Sequence, residues 1–321
     1  MTSLAVNHKS YADYPKSSAY QAYFPDYMRC TPESTPVEEW WSWRGLDVHL
    51  DRMSTPGSPI KIIVLHGAGA YGRVMAPAAV LARKFGYDTV APDLPGYGLT
   101  QVPRGRMKYP LWVDCVSDLI DAEIARDGKP VVLFGVSLGG LLAYQAAAQS
   151  KKAIGVVATT MADTREPGAR ASFARNPFLG KFGLGALSIL PIMSDWFPMP
   201  MALVTKVDRI SNNPELSKLC AGDRMGGGNW VPARFLRTFM NHPPAIEPEQ
   251  FKVCPILIAH PGEDRMTDIA HTKHFYERLA CPKKFVTLDG ASHMPVEHPG
   301  VDQLEASARE FLAELTKQIA R

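Results

Sequence analysis

The chain has 321 residues, a formal net charge of +3 and a pI of about 8.5. That length suits one large α/β domain with an insertion, or two small domains. With no basic run longer than two residues, the charge gives no footing for nucleic acid or an electrostatic membrane anchor. Cys30, Cys115, Cys220, Cys254 and Cys281 are widely spaced and free of C-x-x-C, which argues against a disulfide framework or a zinc site. Reduced thiols in a cytoplasmic protein are expected. Residues 1–9 lack a basic start followed by an apolar core, so no signal peptide is expected. The longest uncharged apolar stretch, Phe182 to Ser194, is too short to span a bilayer and contains Pro191, so no stable membrane insertion is expected.

In chain order, residues 1–37 are rich in Tyr, Pro and Ser and read as an N-terminal extension that straps its aromatics onto the main domain. Glu39 to Met53 alternates around Gly45 as a hairpin does, with Trp40-Trp41-Ser42-Trp43 and Leu46-Asp47-Val48-His49-Leu50 as its strands. A strand–helix rhythm follows. Ile60 to Leu65 is a buried strand, with a helix through Phe85; Thr89 to Pro92 is a second strand; Tyr109 to Arg126 is an amphipathic helix closed by Asp127-Gly128. A strand over Val131 to Phe134, its helix, and a strand over Ala153 to Thr160 continue the pattern, which predicts a parallel sheet with helices on both faces. Ligands then collect at the carboxyl ends of the strands.

From 161 to 248 the rhythm breaks into prolines, a Gly226-Gly227-Gly228 run and short helical stretches, too long for a structureless loop. A helical insertion is expected there, with 38–160 and 249–321 forming the core. The rhythm resumes with a strand over Cys254 to His260, a helix over Thr267 to Leu279, a strand over Lys284 to Leu288, and a closing helix through Ile319.

The stretch that carries chemistry is Gly135-Val136-Ser137-Leu138-Gly139, a G-x-S-x-G between an apolar strand and a helix. A serine on such a sharp turn stands proud of the sheet, and the crowding of strand and helix backbones requires small flanking residues. The helix start behind it offers unpaired N–H groups to a developing oxyanion. Two further strand-end loops supply partners: His260-Pro261-Gly262-Glu263-Asp264, and Asp289-Gly290-Ala291-Ser292-His293 after the last strand. The order Ser137, Asp264, His293 is the one this architecture uses. Glu263 and Asp268 compete with Asp264 for the acid, and His298 with His293 for the base. A serine hydroxyl needs an adjacent base, so His293 would take the proton, Asp264 would fix its tautomer, and backbone N–H groups of Ala68 and Leu138 would meet the oxyanion.

With Ser137, the His66-Gly67-Ala68-Gly69 loop and Gly290-Ala291-Ser292-His293 together, the sequence resembles an α/β-hydrolase over Ile60 to Pro299 plus the preceding hairpin. The resemblance implies a mostly parallel eight-stranded sheet flanked by helices, with a helical lid inserted after the sixth strand. It also implies that the first histidine of its segment is the base, and that Glu297-His298-Pro299 is structural. In character the chain is similar to the monoacylglycerol lipase and lysophospholipase-like branch (the serine aminopeptidase S33 type). It departs from many of that branch in having Val136 and Leu138 around the serine where they have histidine and methionine. The expected activity is hydrolysis of a lipophilic small-molecule carboxylic ester, without cofactor or metal. A thioesterase, lactonase or carbon–carbon hydrolase with the same triad, and a non-catalytic binding member of the fold, are the alternatives. His66 is expected to pack its loop through backbone hydrogen bonds, and Asp93 to pin its turn. The insertion is apolar at Phe178, Leu179, Phe182, Leu184, Leu187, Ile189, Leu190, Ile192 and Met193, and again at Trp196, Phe197, Met199, Met201 and Leu203, as a lipophilic pocket requires.

Overall fold

A computed structural model describes residues 8–176 and 195–319. Val37–Trp43 (β1) and Leu46–Met53 (β2) form the expected hairpin, turned by Arg44 and Gly45 at φ 46° and 72°. Positive φ at both turn residues gives the twist that a right-twisted ribbon needs. Lys61–Leu65 (β3), Asp88–Pro92 (β4), Val131–Gly135 (β5), Ala153–Ala158 (β6), Ile256–Pro261 (β7) and Lys283–Leu288 (β8) complete an eight-stranded sheet. Its order is β1-β2-β4-β3-β5-β6-β7-β8. β2 runs antiparallel to both neighbours and every other pairing is parallel.

The described helices of seven residues or more are Ala76–Lys84 (α1), Tyr109–Asp127 (α2), Leu138–Ser150 (α3), Pro167–Phe173 (α4), Pro214–Gly222 (α5), Ala233–Asn241 (α6), Ile269–Arg278 (α7) and Gly300–Ile319 (α8). The inner strands are continuous apolar runs because both faces are covered. Ile63, Leu65, Val131, Leu133, Val156 and Ile258 pack with Trp112, Val116 and Leu142 of α2 and α3. The alternate residues Ile62, Val64, Val132, Val157 and Leu257 pack with Phe311, Leu312 and Leu315 of α8 and with α1. α2 stops at Gly128, at φ 74°, whose N–H closes on the Ile124 carbonyl.

The connection from β6 to β7 holds α4, α5 and α6, and also a feature outside the expected helices. Pro198–Pro200 pairs antiparallel with Trp230–Pro232 as a two-stranded ribbon. Each strand is three residues long and rich in proline, so no run of alternation announces it. α6 lies against α2, with Phe235 4.8 Å from Trp112 and Phe239 5.0 Å from Tyr109 between ring centroids. The apolar residues Phe178 to Met193 lie outside the described residues. The N-terminal arm packs Tyr11, Tyr20, Phe24 and Met28 against Tyr71, Val74 and Leu81 of the core, and against Val207, Leu216 and Cys220 of the β6–β7 connection. All five cysteines are free thiols. Among the described residues no helix is long and apolar enough to cross a membrane.

Candidate active site

β5 ends at Gly135, and two residues later Ser137 takes φ 58°, ψ −126° before α3 begins at Leu138. A non-glycine residue held there costs about 1–3 kcal/mol and marks a backbone that the surrounding packing over-determines. The packing is visible. A Cβ on Gly135 would lie 2.1 Å from the Gly139 carbonyl oxygen, and one on Gly139 would lie 2.4 Å from that of Leu65. Strand, turn and helix therefore touch backbone to backbone, and Ser137 is left half-buried at the rim.

His293 Nε2 lies 2.7 Å from Ser137 Oγ, and His293 Nδ1 lies 2.7 Å from Asp264 Oδ2. Asp264 Oδ1 accepts from the Met266 and Thr267 N–H groups at 2.7 and 2.9 Å. Burial pushes this carboxyl up, but His293 and the two backbone N–H groups outweigh it and hold Asp264 below the usual carboxylate range. Ionised, it can only accept, so Nδ1 carries the imidazole proton and Nε2 offers its lone pair to the serine O–H.

The competing residues are engaged elsewhere. Glu263 accepts from Asn212 Nδ2, Asp268 caps α7 through the Ala270 N–H, and His298 is exposed with its Nδ1 2.6 Å from Asp302. His66 is buried, and its Nε2 accepts the Leu94 N–H, so Nδ1 donates to the Gly67 carbonyl. Burial pushes it down to about 4, which leaves it neutral and structural. Asp93 accepts from the Gly72 and Leu99 N–H groups and pins both loops.

Glu297 carries more than its motif indicates. Its carboxylate accepts from the Ser292 hydroxyl and N–H, and from the Ser211 hydroxyl of the β6–β7 connection, clamping the His293 loop. A glutamate five residues after a serine gives no sequence signal for that grip.

Ala68 follows β3 in a loop pressed against the serine turn, where a Cβ on Gly67 would lie 2.9 Å from both Ser137 Cβ and the Val136 carbonyl oxygen. Ala68 and Leu138 border the same cavity as Ser137 and His293, and among the described residues neither N–H donates to a backbone carbonyl. The cavity has a volume of about 610 Å³. Its roof is apolar, from Phe235, Leu236 and Phe239 of α6 and from Leu203 and Val204. Six methionines (Met75, Met199, Met201, Met240, Met266, Met294) give it an adaptable wall. Two wall hydroxyls, on Thr164 and Thr205, are turned onto the carbonyls of Phe239 and Met201.

A sheet of this order, with a serine, a carboxylate and a histidine after β5, β7 and β8, defines a class. The chain belongs to the alpha/beta hydrolase family, whose model matches residues 62–305. It is similar to phospholipase YtpA of Bacillus subtilis (strain 168), at 24% identity over 276 residues, covering 84% of this chain and 98% of that one. Among solved structures it is similar to a monoacylglycerol lipase of Paleococcus ferrophilus (TM-score 0.68, 23% identity, 84% of this chain and 99% of that one). It is also similar to a soluble variant of the Saccharomyces cerevisiae monoglyceride lipase in complex with a substrate analogue (TM-score 0.71, 17% identity, 91% and 98%).

Proposed function

We propose that the protein is a serine hydrolase that cleaves a carboxylic ester with a hydrophobic acyl or alcohol group. The observation that carries this is the Ser137–His293–Asp264 hydrogen-bond chain on the floor of an apolar cavity of about 610 Å³. His293 Nε2 takes the Ser137 proton as Oγ attacks the ester carbonyl. Asp264 stabilises the imidazolium without taking its proton. The tetrahedral oxyanion is met by the N–H groups of Ala68 and Leu138, and His293 then protonates the departing alkoxide. Water, activated by the same histidine, releases the acid from the acyl-enzyme and restores the serine.

Residues 161–248 act as a lid over the core of 38–160 and 249–321, with 1–37 as an arm. The names of the relatives, a phospholipase and two monoacylglycerol lipases, support a lipophilic ester. The five free thiols support a cytoplasmic location.

The test is hydrolysis of p-nitrophenyl esters from acetate to palmitate by the wild type and Ser137→Ala. Turnover should peak at medium or long chains and fall by about 10⁴–10⁶-fold in the variant. A peak at acetate would sink the lipophilic substrate. Absence of turnover with Ser137 still labelled by a fluorophosphonate would move the activity to thioesters, lactones or carbon–carbon bonds. Absence of labelling as well would leave a binding role.

A further inference from the structure

The loop from His66 to Gly72 carries Ala68, yet it belongs to no strand or α-helix. Its far end is held by two buried carboxylates. Asp93 Oδ1 accepts the Gly72 N–H at 2.7 Å, and Asp223 Oδ2 accepts the Tyr71 hydroxyl at 3.0 Å. Both carboxylates also accept a hydroxyl from the N-terminal arm. Tyr11 donates to Asp93 Oδ2 at 2.7 Å and Tyr20 to Asp223 Oδ2 at 3.0 Å. The two arm rings enclose Tyr71. Tyr11 stacks on it at 5.4 Å between centroids and 11° between planes, and Tyr20 meets it edge-on at 6.4 Å. Tyr11, Tyr20 and Tyr71 are all buried, and burial with the neighbouring carboxylates pushes each phenol up, so each remains a donor.

Asp223 opens a turn through Gly226 that presses on the loop. Asp223 Oδ1 accepts the Met225 N–H, the Met225 carbonyl accepts the Gly98 N–H, and Gly226 sits so close that a Cβ there would lie 2.7 Å from the Gly69 carbonyl oxygen. Ala68 is thus one residue from a backbone clamped between the serine turn and a turn that the arm helps to fix. The family model's match begins at residue 62, downstream of the arm.

We propose that the N-terminal arm is a positioning element of the active site: through Tyr11 on Asp93 and Tyr20 on Asp223 it sets the place of the loop that carries the Ala68 N–H. This rests on the reading of Ala68 as an oxyanion donor. Tyr11 and Tyr20 touch no reacting atom. They act through Tyr71, Asp93 and Asp223, and their removal leaves the Ser137–His293–Asp264 chain intact while letting the donor drift. A misplacement of about 1 Å at a catalytic group costs up to about 10²-fold, and outright loss of an oxyanion donor about 10²–10³-fold.

The experiment uses the full chain and the best ester of the p-nitrophenyl series, with Tyr11→Phe, Tyr20→Phe and the double variant. Tyr27→Phe serves as the control, because Tyr27 lies on the same arm but donates to Asp302 of α8, away from the loop. Each is assayed for kcat, KM and inhibition by a trifluoromethyl ketone, which captures Ser137 as an oxyanionic adduct. The double variant should lose about 10-fold in kcat with KM within about 2-fold, and its ketone Ki should rise about 10-fold in parallel. Tyr27→Phe should stay within about 2-fold on every count. If the double variant does not fold, the single variants are read, each at about 3-fold in kcat and Ki. Unchanged kcat and Ki in folded variants, or an equal loss in Tyr27→Phe, would overturn the proposal. Failure of a fluorophosphonate to label Ser137 in the wild type would instead overturn the reading of the active site, and this inference with it.

Discussion

The floor and the roof of the cavity are built from different materials. The floor is the strand ends, where Ser137, Asp264 and His293 follow β5, β7 and β8 and the backbones meet with no room for a side chain. A Cβ on Gly140, like those on Gly135 and Gly139, would lie within 2.4 Å of a carbonyl oxygen or carbon. The roof, over 161–176 and 195–248, touches the floor backbone to backbone at the Gly226 turn and carries its own short ribbon, but much of it is held by side chains. Arg165 forks onto Asp163 and Glu247, Arg234 and Arg237 both reach Asp195, and the rings of α6 rest on α2. Positions fixed by backbone contact tolerate almost no change, whereas those fixed by side-chain contact can be re-cut one residue at a time. On the proposed function, bond-making would fall to the first region and substrate choice to the second.

Two substitutions press on that division. Asp264→Asn keeps the size of the side chain but offers His293 Nδ1 a neutral partner that can also donate, which favours the wrong tautomer. A loss of about 10⁴-fold in kcat is expected for every ester in the series alike. A loss that varied with chain length would mean that the floor also selects. Leu236→Trp, on the buried face of α6 that lines the cavity, should do the reverse. Acetate turnover should stay within about 3-fold while kcat/KM for the preferred long ester falls about 10–100-fold, the range over which a hydrophobic pocket discriminates by size. Equal losses on acetate and the long ester would merge floor and roof.

The floor was far more legible in the sequence than the roof, for a physical reason. A serine nucleophile demands a particular turn, and that turn demands small residues at fixed offsets, so Gly135, Ser137 and Gly139 announce themselves. The preference for Asp264 over Glu263 and Asp268, and for His293 over His298, rests in the sequence on loop placement and resemblance alone, because all of these side chains sit on suitable strand-end loops. The distances add that Asp264 and His293 join Ser137 in one hydrogen-bond chain. The ribbon of Pro198–Pro200 and Trp230–Pro232 is too short to leave a period. The link between Tyr20 and Asp223 joins residues 203 apart and has no local signature. β2 carries a different difficulty. Its alternation of Leu46, Val48 and Leu50 with Asp47, His49 and Asp51 describes a strand with a wet face, yet His49 and Asp51 are buried. The arm and Arg73 cover that face, so a pattern meant for water serves a buried ionic cluster instead.

That cluster supports the smallest expected effect, one that tests whether the arm-covered face behaves as a third material, set by charge. His49 Nε2 lies 3.1 Å from Glu38 Oε2 and 3.8 Å from Asp51 Oδ1, and Nδ1 lies 3.1 Å from Asp93 Oδ2. Arg73 pairs with Asp51 at 2.6 Å, and Tyr11 donates to Asp93. Burial alone would push the imidazole down, but Asp93, Asp51 and Glu38 outweigh it and raise His49 above its ordinary value. The folded protein therefore binds this proton more tightly than the unfolded chain does. The stabilisation is fully present below about pH 6.5 and is lost as pH rises through the folded value. Asp51, which burial pushes up to about 6 against the pull of Arg73 and His49, titrates at the lower edge of that window. Between pH 6 and pH 9 the wild type should accordingly lose about 2 °C more in Tm than His49→Gln does, as expected when about 1 kcal/mol is lost from a chain of this length. Equal losses in the two proteins would show that the carboxylates around His49 are satisfied by Arg73 and Tyr11 alone, and that the ring is neutral throughout.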